Sequence, residues 1–415
     1  MQDAECLWSL WIGQAMREVQ RGSSGAESAV VRLVNGLIDQ SIAWRVSDLH
    51  LEPMTGGMRV RYRRDGILQE DDRKLPRGVE AAVVSRIKVM AGMDIAQRQR
   101  PQDGHIRYVR EGQKTLDIRV ASMPVTDGEM MVLRFMNLED EMLKVSELGF
   151  SEKNRQKFEK LIHAPAGLLV ICGPMNSGKT TSLYAAMNAL NVPECSLITL
   201  EDPVERELSG INQVQMNPKA GLDYVTGLRA VLRQDVEKVL LGEIRDGETA
   251  EMAVRIALTG HLLMTTLHTE DATAVIYRLL DMGVKPYLLA ATLSGIVAQR
   301  LVRCICPECR SSYVVEEGSR EAALLGDCYE PGLVLWHGTG CNACGGTGYQ
   351  GRMALQEVLV MDDSLRQALL HKCERQEFSR IAAAGGMESL WQDGIQKVKQ
   401  GVTTLTEVRR VLYGN

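Results

Sequence analysis

The chain has 415 residues, 45% of them apolar and 24% charged, the balance of a globular protein large enough for two or three domains. Forty-eight Lys+Arg against 53 Asp+Glu leave a net charge of −5, so the charge points to neither nucleic acid nor anionic lipid as an obligatory partner. No apolar run reaches the roughly 18–20 residues that span a bilayer, and the start Met1-Gln2-Asp3-Ala4-Glu5 lacks the basic residues of an export signal. A cytoplasmic protein is expected, with any membrane association made through a protein partner.

In chain order, residues 1–26 read as a short amphipathic helix closed by Gly22-Ser23-Ser24-Gly25. Residues 27–137 read as an α+β domain, with a helix over 29–41 and strands at 58–62, 116–121 and 131–135. Asp65-Gly66, Asp103-Gly104 and Asp127-Gly128 read as turns between them. A charged linker follows, from about residue 137 to 148. From Gly149 strands alternate with helices, the pattern of a parallel sheet with crossover helices. Its buried strands are expected at Gly167–Cys172, 196–200, 239–241 and 262–266. A Cys/Gly-rich element at 304–350 breaks that rhythm, and 351–415 returns to helical periodicity.

The strand Gly167–Cys172 runs into Gly173-Pro174-Met175-Asn176-Ser177-Gly178-Lys179-Thr180 and then a helix over 181–190. This is G-x-x-x-x-G-K-[ST] between a strand and a helix, the context that makes it a phosphate loop. Loop N–H groups and the helix N-terminus, Thr181 included, face phosphate oxygens. Lys179 reaches the β/γ-phosphates, and the Thr180 hydroxyl ligates Mg²⁺. ATP is the expected ligand. Glu243, at the end of the apolar strand Val239-Leu240-Leu241, is placed to hold Mg²⁺ through water or to orient the attacking water.

Four further segments follow in a fixed order. They are Ile198-Thr199-Leu200-Glu201-Asp202-Pro203-Val204-Glu205, 227–235, Gly242-Glu243-Ile244-Arg245-Asp246, and Thr259-Gly260-His261 through Thr266-Leu267-His268-Thr269. With the phosphate loop they resemble the ATPases of type II secretion and type IV pilus assembly, over roughly residues 27–415. The resemblance implies a RecA-like P-loop core, an N-terminal PAS-like α+β domain, a homo-hexamer with ATP bound between the two domains, and an inner-membrane platform protein as partner. It implies that an acidic-box carboxylate is the general base. Glu201 and Glu205 both match; Glu205 is preferred. His268, with His261 as a second possibility, is expected to sense the γ-phosphate or shape the subunit interface.

The N-terminal domain carries matching segments at 47–53, 61–66, Pro101-Gln102-Asp103-Gly104 and 116–119. The resemblance implies that Arg119 and Arg134 reach the nucleotide phosphates, where guanidinium forks stabilise developing charge. A third arginine is usual directly after Pro-Gln-Asp-Gly; this chain has His105, with Arg107 a possible substitute. Asn176 replaces a usual Gly, and Asn is among the least costly side chains if that position needs φ > 0. Gln234–Glu237 depart from the usual Gln-Asp-Pro-Asp without an evident meaning. The far N-terminal partner-binding domain of the family is expected to be missing.

Cys306-Pro307-Glu308-Cys309 and Cys341-Asn342-Ala343-Cys344 form two C-x-x-C pairs. Two such turns supply a tetrahedral thiolate set that suits Zn²⁺ and leaves no open position, so a structural zinc is expected. Their spacing exceeds the common 15–20 residues. Cys304 is a less favoured extra ligand, and Cys6, Cys172, Cys195, Cys328 and Cys373 read as packing residues. The element resembles that of assembly-type motors. The reading is therefore an ATP-hydrolysing hexameric motor for a pilus or pseudopilus. A nucleotide-binding scaffold with little turnover and a retraction-type motor are the alternatives. A nucleic-acid translocase is disfavoured by the lack of a basic excess.

Overall fold

The computed structural model describes residues 12–17, 29–109, 115–136 and 142–414. The chain divides into two compact units, Met1–Asp140 and Glu141–Asn415. In the first, helix α1 covers residues 12–17; the rest of the expected N-terminal helix, and residues 137–141 of the expected linker, lie outside the described residues. Then come α2 (Ala29–Ala43), β1 (Asp48–Met54), β2 (Gly57–Arg64), β3 (Ile67–Glu70), α3 (Glu80–Met90), β4 (Gln102–Tyr108), β5 (Leu116–Val125) and β6 (Gly128–Met136). The strands form an antiparallel sheet in the order β3-β2-β1-β6-β5-β4.

Strict alternation explains why one face of this sheet is core and the other polar. Leu49, Leu51, Val60, Ile118, Val120 and Leu133 are buried in one cluster with Leu33, Leu37 and Ile38 of α2 and Val83 and Ile87 of α3. Asp103-Gly104, expected as a turn, lies inside β4. The glycine serves a close approach there: a Cβ on Gly104 would stand 2.5 Å from the Ala91 carbonyl oxygen at the end of α3.

The second unit runs α4 (Glu152–Ile162), β7 (Gly167–Cys172), α5 (Lys179–Leu190), β8 (Leu197–Glu201), β9 (Asn212–Gln215), α6 (Tyr224–Val231), β10 (Lys238–Leu241), α7 (Gly247–Leu258), β11 (Leu262–Leu267), α8 (Ala272–Asp281), α9 (Pro286–Thr292) and β12 (Leu293–Ile305). It continues with β13 (Arg310–Val314), α10 (Arg320–Leu325), β14 (Val334–Gly338), β15 (Tyr349–Val360), α11 (Asp363–Leu370), α12 (Arg375–Ala384), α13 (Leu390–Lys399) and α14 (Leu405–Tyr413). Seven strands form one sheet in the order β15-β12-β7-β11-β10-β8-β9. All its pairings are parallel except β12 with β15. Both faces of β7 are covered: Leu168 and Val170 enter one apolar cluster, Leu169 and Ile171 another. That double burial makes such strands continuous apolar runs in sequence.

Residues 351–360, expected to be helical, form most of β15. Ala354, Leu355, Val358 and Leu359 mimic a helical stripe, but the strand is covered on both sides. Its buried polar residues reach across the fold: Gln356 Nε2 donates to the Leu148 carbonyl at 2.9 Å, and Glu357 accepts from Ala272 N at 3.0 Å, while Gln356 Oε1 is buried without a partner. β12, which sequence patterning also missed, pairs with β7 on one side and β15 on the other.

Helix α14 is tied to β12 through Glu407, which accepts from Arg303 N at 3.1 Å, from the Arg303 guanidinium at 2.8 Å and from Arg410. Burial pushes this carboxyl up, but the two arginines outweigh it and hold it at about 2. A carboxyl held low stabilises the fold above its ordinary value near 4.5, and that stability is lost as the pH falls toward about 2. Glu407→Gln is expected to cost roughly 3 kcal/mol at neutral pH and to flatten the acid-side decline over that window, because the wild-type advantage disappears there. Urea melts at pH 7 and pH 3 check this; equal destabilisation at both would contradict it.

Candidate active site

In a parallel sheet every strand delivers its carboxyl end to the same edge, and ligands bind beyond that edge. Leu267 of β11 lies opposite Cys172 of β7, and Leu241 of β10 lies opposite Leu200 of β8. The phosphate loop, Glu201–Glu205, Glu243 and His268 therefore leave the sheet side by side. His261 does not join them. It precedes β11, its carbonyl accepts from Gly167 N at 3.0 Å, and six strand residues put it about 20 Å from that edge. Its ring meets Thr259 Oγ1 and the Ile256 carbonyl.

The phosphate loop needs backbone conformations that side chains rarely adopt. Gly173 has φ 154°, and a Cβ there would sit 2.4 Å from the Gln299 carbonyl. Asn176 has φ 61°, so the position is left-handed and Asn is tolerated as expected. Lys179 Nζ is buried on the loop itself, donating to Gly173 O at 3.0 Å and Pro174 O at 2.9 Å. Burial lowers its proton affinity, while the carboxylates of Glu243 and Glu205 lie near enough to raise it. Ser177 Oγ is buried and has no hydrogen-bond partner. A cation satisfied only by loop carbonyls beside an orphaned hydroxyl fits a phosphate chain. Thr180 follows at the start of α5, where its hydroxyl fits the Mg²⁺ role; Pro174, Met175 and Asn176 form the exposed rim.

Two neighbouring residues of β12 were missed by sequence reasoning, and the first of them braces this loop. Gln299 of β12, buried behind it, donates from Nε2 to Ser177 O at 2.8 Å and accepts from Ser182 Oγ at 2.9 Å. Arg300 donates to the carbonyls of Glu270 at 2.7 Å and Gln299 at 3.2 Å. No sequence motif announced either, because β12 itself was not recognised.

The two acidic-box carboxylates differ in surroundings. Glu201 is buried and held by three donors: Tyr184 Oη donates to Oε2 at 2.5 Å, and Thr199 Oγ1 (2.6 Å) and Gln213 Nε2 (3.1 Å) donate to Oε1. Glu205 is exposed. Glu243 bridges Arg245 and His268, accepting from Arg245 Nε at 2.7 Å and facing His268 Nε2 at 3.2 Å. Arg245 also reaches Asp202 Oδ2 at 3.3 Å, joining the ends of β8 and β10.

In the first unit, His105, Arg119, Arg134, Asp48 and Arg63 occupy one cross-strand row on the polar face. His105, Arg119 and Arg134 are exposed. Arg134 Nε donates to Asp48 Oδ1 at 2.9 Å, and the His105 ring meets Asp117. Arg107 shares the face of His105 and lies opposite Asp117. Arginines placed directly opposite each other, as Arg119 and Arg134 are, repel, so this row suits an anion.

The sulfurs of Cys306, Cys309, Cys341 and Cys344 all lie within 4.8 Å of one another. Cys306–Cys341 and Cys341–Cys344 are 3.8 Å apart and Cys309–Cys344 3.9 Å. A tetrahedral ion with Zn–S bonds of about 2.3 Å needs an edge of about 3.8 Å, so the cluster is sized for a metal. The amides of Cys341 and Gly348 donate to Cys344 Sγ at 3.1 and 3.2 Å, which suits a thiolate. The long spacer folds into β13, α10 and β14. Cys304 is not in the cluster. Cys172 is a packing residue whose thiol burial pushes up to about 12.

Comparison with known proteins agrees with this geometry. A family model described as "Type II/IV secretion system protein" matches residues 24–410. The chain is 43% identical to Type II secretion system protein E of Dickeya dadantii over 386 residues, 93% of this chain and 76% of the relative. It is 41% identical to the Type IV pilus assembly ATPase PilB of Thermus thermophilus over 395 residues, 95% of this chain but 44% of that one. The solved structure of the Legionella pneumophila ATPase DotB matches with TM-score 0.66 at 18% identity, over 91% of this chain and 94% of that one, a likeness of fold.

Proposed function

The chain belongs to the type II/IV secretion system protein family and is a secretion ATPase of the protein E and PilB kind, and from that premise we propose that it works as a hexameric motor. It acts at the cytoplasmic face of the inner membrane, on a platform protein, and drives assembly of a pilus or pseudopilus. The observation that carries this reading is the meeting of the phosphate loop, the Glu205 segment and the Glu243–His268 pair along one edge of a parallel sheet. No helix among the described residues is long and apolar enough to cross a membrane, which is consistent with docking through a protein partner.

In this reading the loop amides and Lys179 bind the β- and γ-phosphates, and the phosphates displace Lys179 from the carbonyls of Gly173 and Pro174. Thr180 and Glu243 would hold Mg²⁺, and the ion bound there would supply neutralisation of phosphate charge. Glu205 takes the proton of the attacking water and His268 reports the γ-phosphate to Glu243. Glu201, held by three donors, positions the segment. Arg119 and Arg134 supply guanidinium groups to the transferred phosphoryl group during the cycle, and His105 weakens the third such contact. The scaffold alternative loses one of its motives, because Asn176 fits its left-handed position.

The four cysteines hold a structural zinc in this reading. It ties the far ends of β12 and β15 together, on the strand whose middle braces the phosphate loop.

Glu205→Gln is expected to lower kcat by about 100-fold or more while leaving ATP binding within a few-fold of wild type. Steady-state phosphate release and binding of a fluorescent ATP analogue check this; a variant as fast as wild type would sink the assignment of the base. Purified protein is expected to carry about one zinc per chain, as a tetrathiolate site requires. Elemental analysis measures it, and the paired change Cys341→Ser with Cys344→Ser is expected to remove it and lower the melting temperature.

A further inference from the structure

Tyr184 sits on the second turn of α5, the helix that the phosphate loop opens, and is buried. Its phenolic oxygen stands between both acidic-box glutamates. It donates to Glu201 Oε2 at 2.5 Å and accepts from the backbone N–H of Glu205 at 3.3 Å and from that of Arg206. Burial and the neighbouring Glu201 carboxylate push the phenol well above its ordinary range, so it stays protonated and remains a donor at every physiological pH.

The rest of the segment is clamped to match. Val204 N donates to Gln215 Oε1 at 3.3 Å. Gln213 of β9 donates to Glu201 and to the Arg206 carbonyl at 3.0 Å, and accepts from Leu208 N at 2.6 Å. The backbone of Glu205 is thus held by α5 and by β9 while its side chain projects outward. Glu201 is the less suited base in this arrangement, because three donors already hold its carboxylate and it lies away from solvent.

We propose that Tyr184 is the positioning residue of the hydrolytic reaction: it couples α5, whose N-terminus holds the phosphates, to the backbone that aims Glu205. The phenol is the one side chain on α5 that reaches both glutamates among the hydrogen bonds described. A shift of α5 when the phosphates bind is carried through one buried phenol to the base, with Glu201 fixing the phenol's direction. This rests on Glu205 being the base.

Tyr184→Phe removes only the hydroxyl. It is expected to lower kcat about tenfold or more, the scale of one lost buried hydrogen bond, with KM for ATP and analogue binding within twofold of wild type. The decisive readout is a double-mutant cycle with Glu205→Gln. If Tyr184 acts through Glu205, adding Tyr184→Phe to Glu205→Gln slows it by less than about twofold. A kcat for Tyr184→Phe within twofold of wild type, or an equal loss in both backgrounds, would overturn the proposal. If Tyr184→Phe does not fold, Glu201→Gln enters the same cycle: it keeps the shape, disturbs the phenol's acceptor, and is expected to be non-additive with Glu205→Gln in the same way. Wild-type turnover and its loss in Glu205→Gln test the underlying reading separately, so failure of the coupling leaves that reading standing.

Discussion

The second unit depends on the pairing of β12 with β7. That pairing puts the amide of Gln299 directly behind the phosphate loop, where it donates to Ser177 O and accepts from Ser182 on α5. A phosphate loop is an unfavourable object on its own: its N–H groups must face a ligand, and three of its residues, Gly173, Asn176 and Gly178, hold left-handed or glycine-only backbone. A buried side-chain amide that ties the loop at Ser177 to α5 at Ser182 stabilises it without using the N–H groups needed for phosphate. The same strand continues past the Arg303–Glu407 clamp to the cysteine cluster. Loop, C-terminal helices and metal site are thus strung on one thirteen-residue element.

This arrangement gives the cysteine element a mechanical meaning. Four sulfurs at tetrahedral edge length close the open end of the β12–β15 pair. The closure fixes the far end of the strand whose middle carries Gln299. Conversely, Glu357 and Gln356 of β15 tie the pair to α8 and to the segment before α4.

Much of the site was legible in the sequence, because its parts are short and chemically constrained. The phosphate loop reads from its glycines and lysine, the four-cysteine cluster from two C-x-x-C turns, and β7 and β11 from uninterrupted apolar runs with both faces buried. β12 and β15 were hidden for a physical reason: each carries buried polar residues that break the apolar pattern, and β15 repeats its apolar residues at a helical interval. Gln299, Arg300 and Tyr184 were invisible for a related reason, since their roles come from partners distant in sequence. Asp103-Gly104 misled in the opposite direction, as a turn dipeptide used for close packing. His261 and His268 sit in one motif, yet a whole strand separates them, and only His268 stands at the working edge.

The central claim is that the phosphate loop, Glu205 and Glu243 form an ATP-hydrolysing site that becomes a motor only in an assembled ring. Steady-state ATP hydrolysis with Mg²⁺, measured separately on size-fractionated hexamer and monomer pools, tests it most directly. The account predicts turnover confined to the hexamer and abolished in that pool by Lys179→Ala. Equal turnover per chain in both pools, or tight ATP binding with no turnover in either, would contradict it.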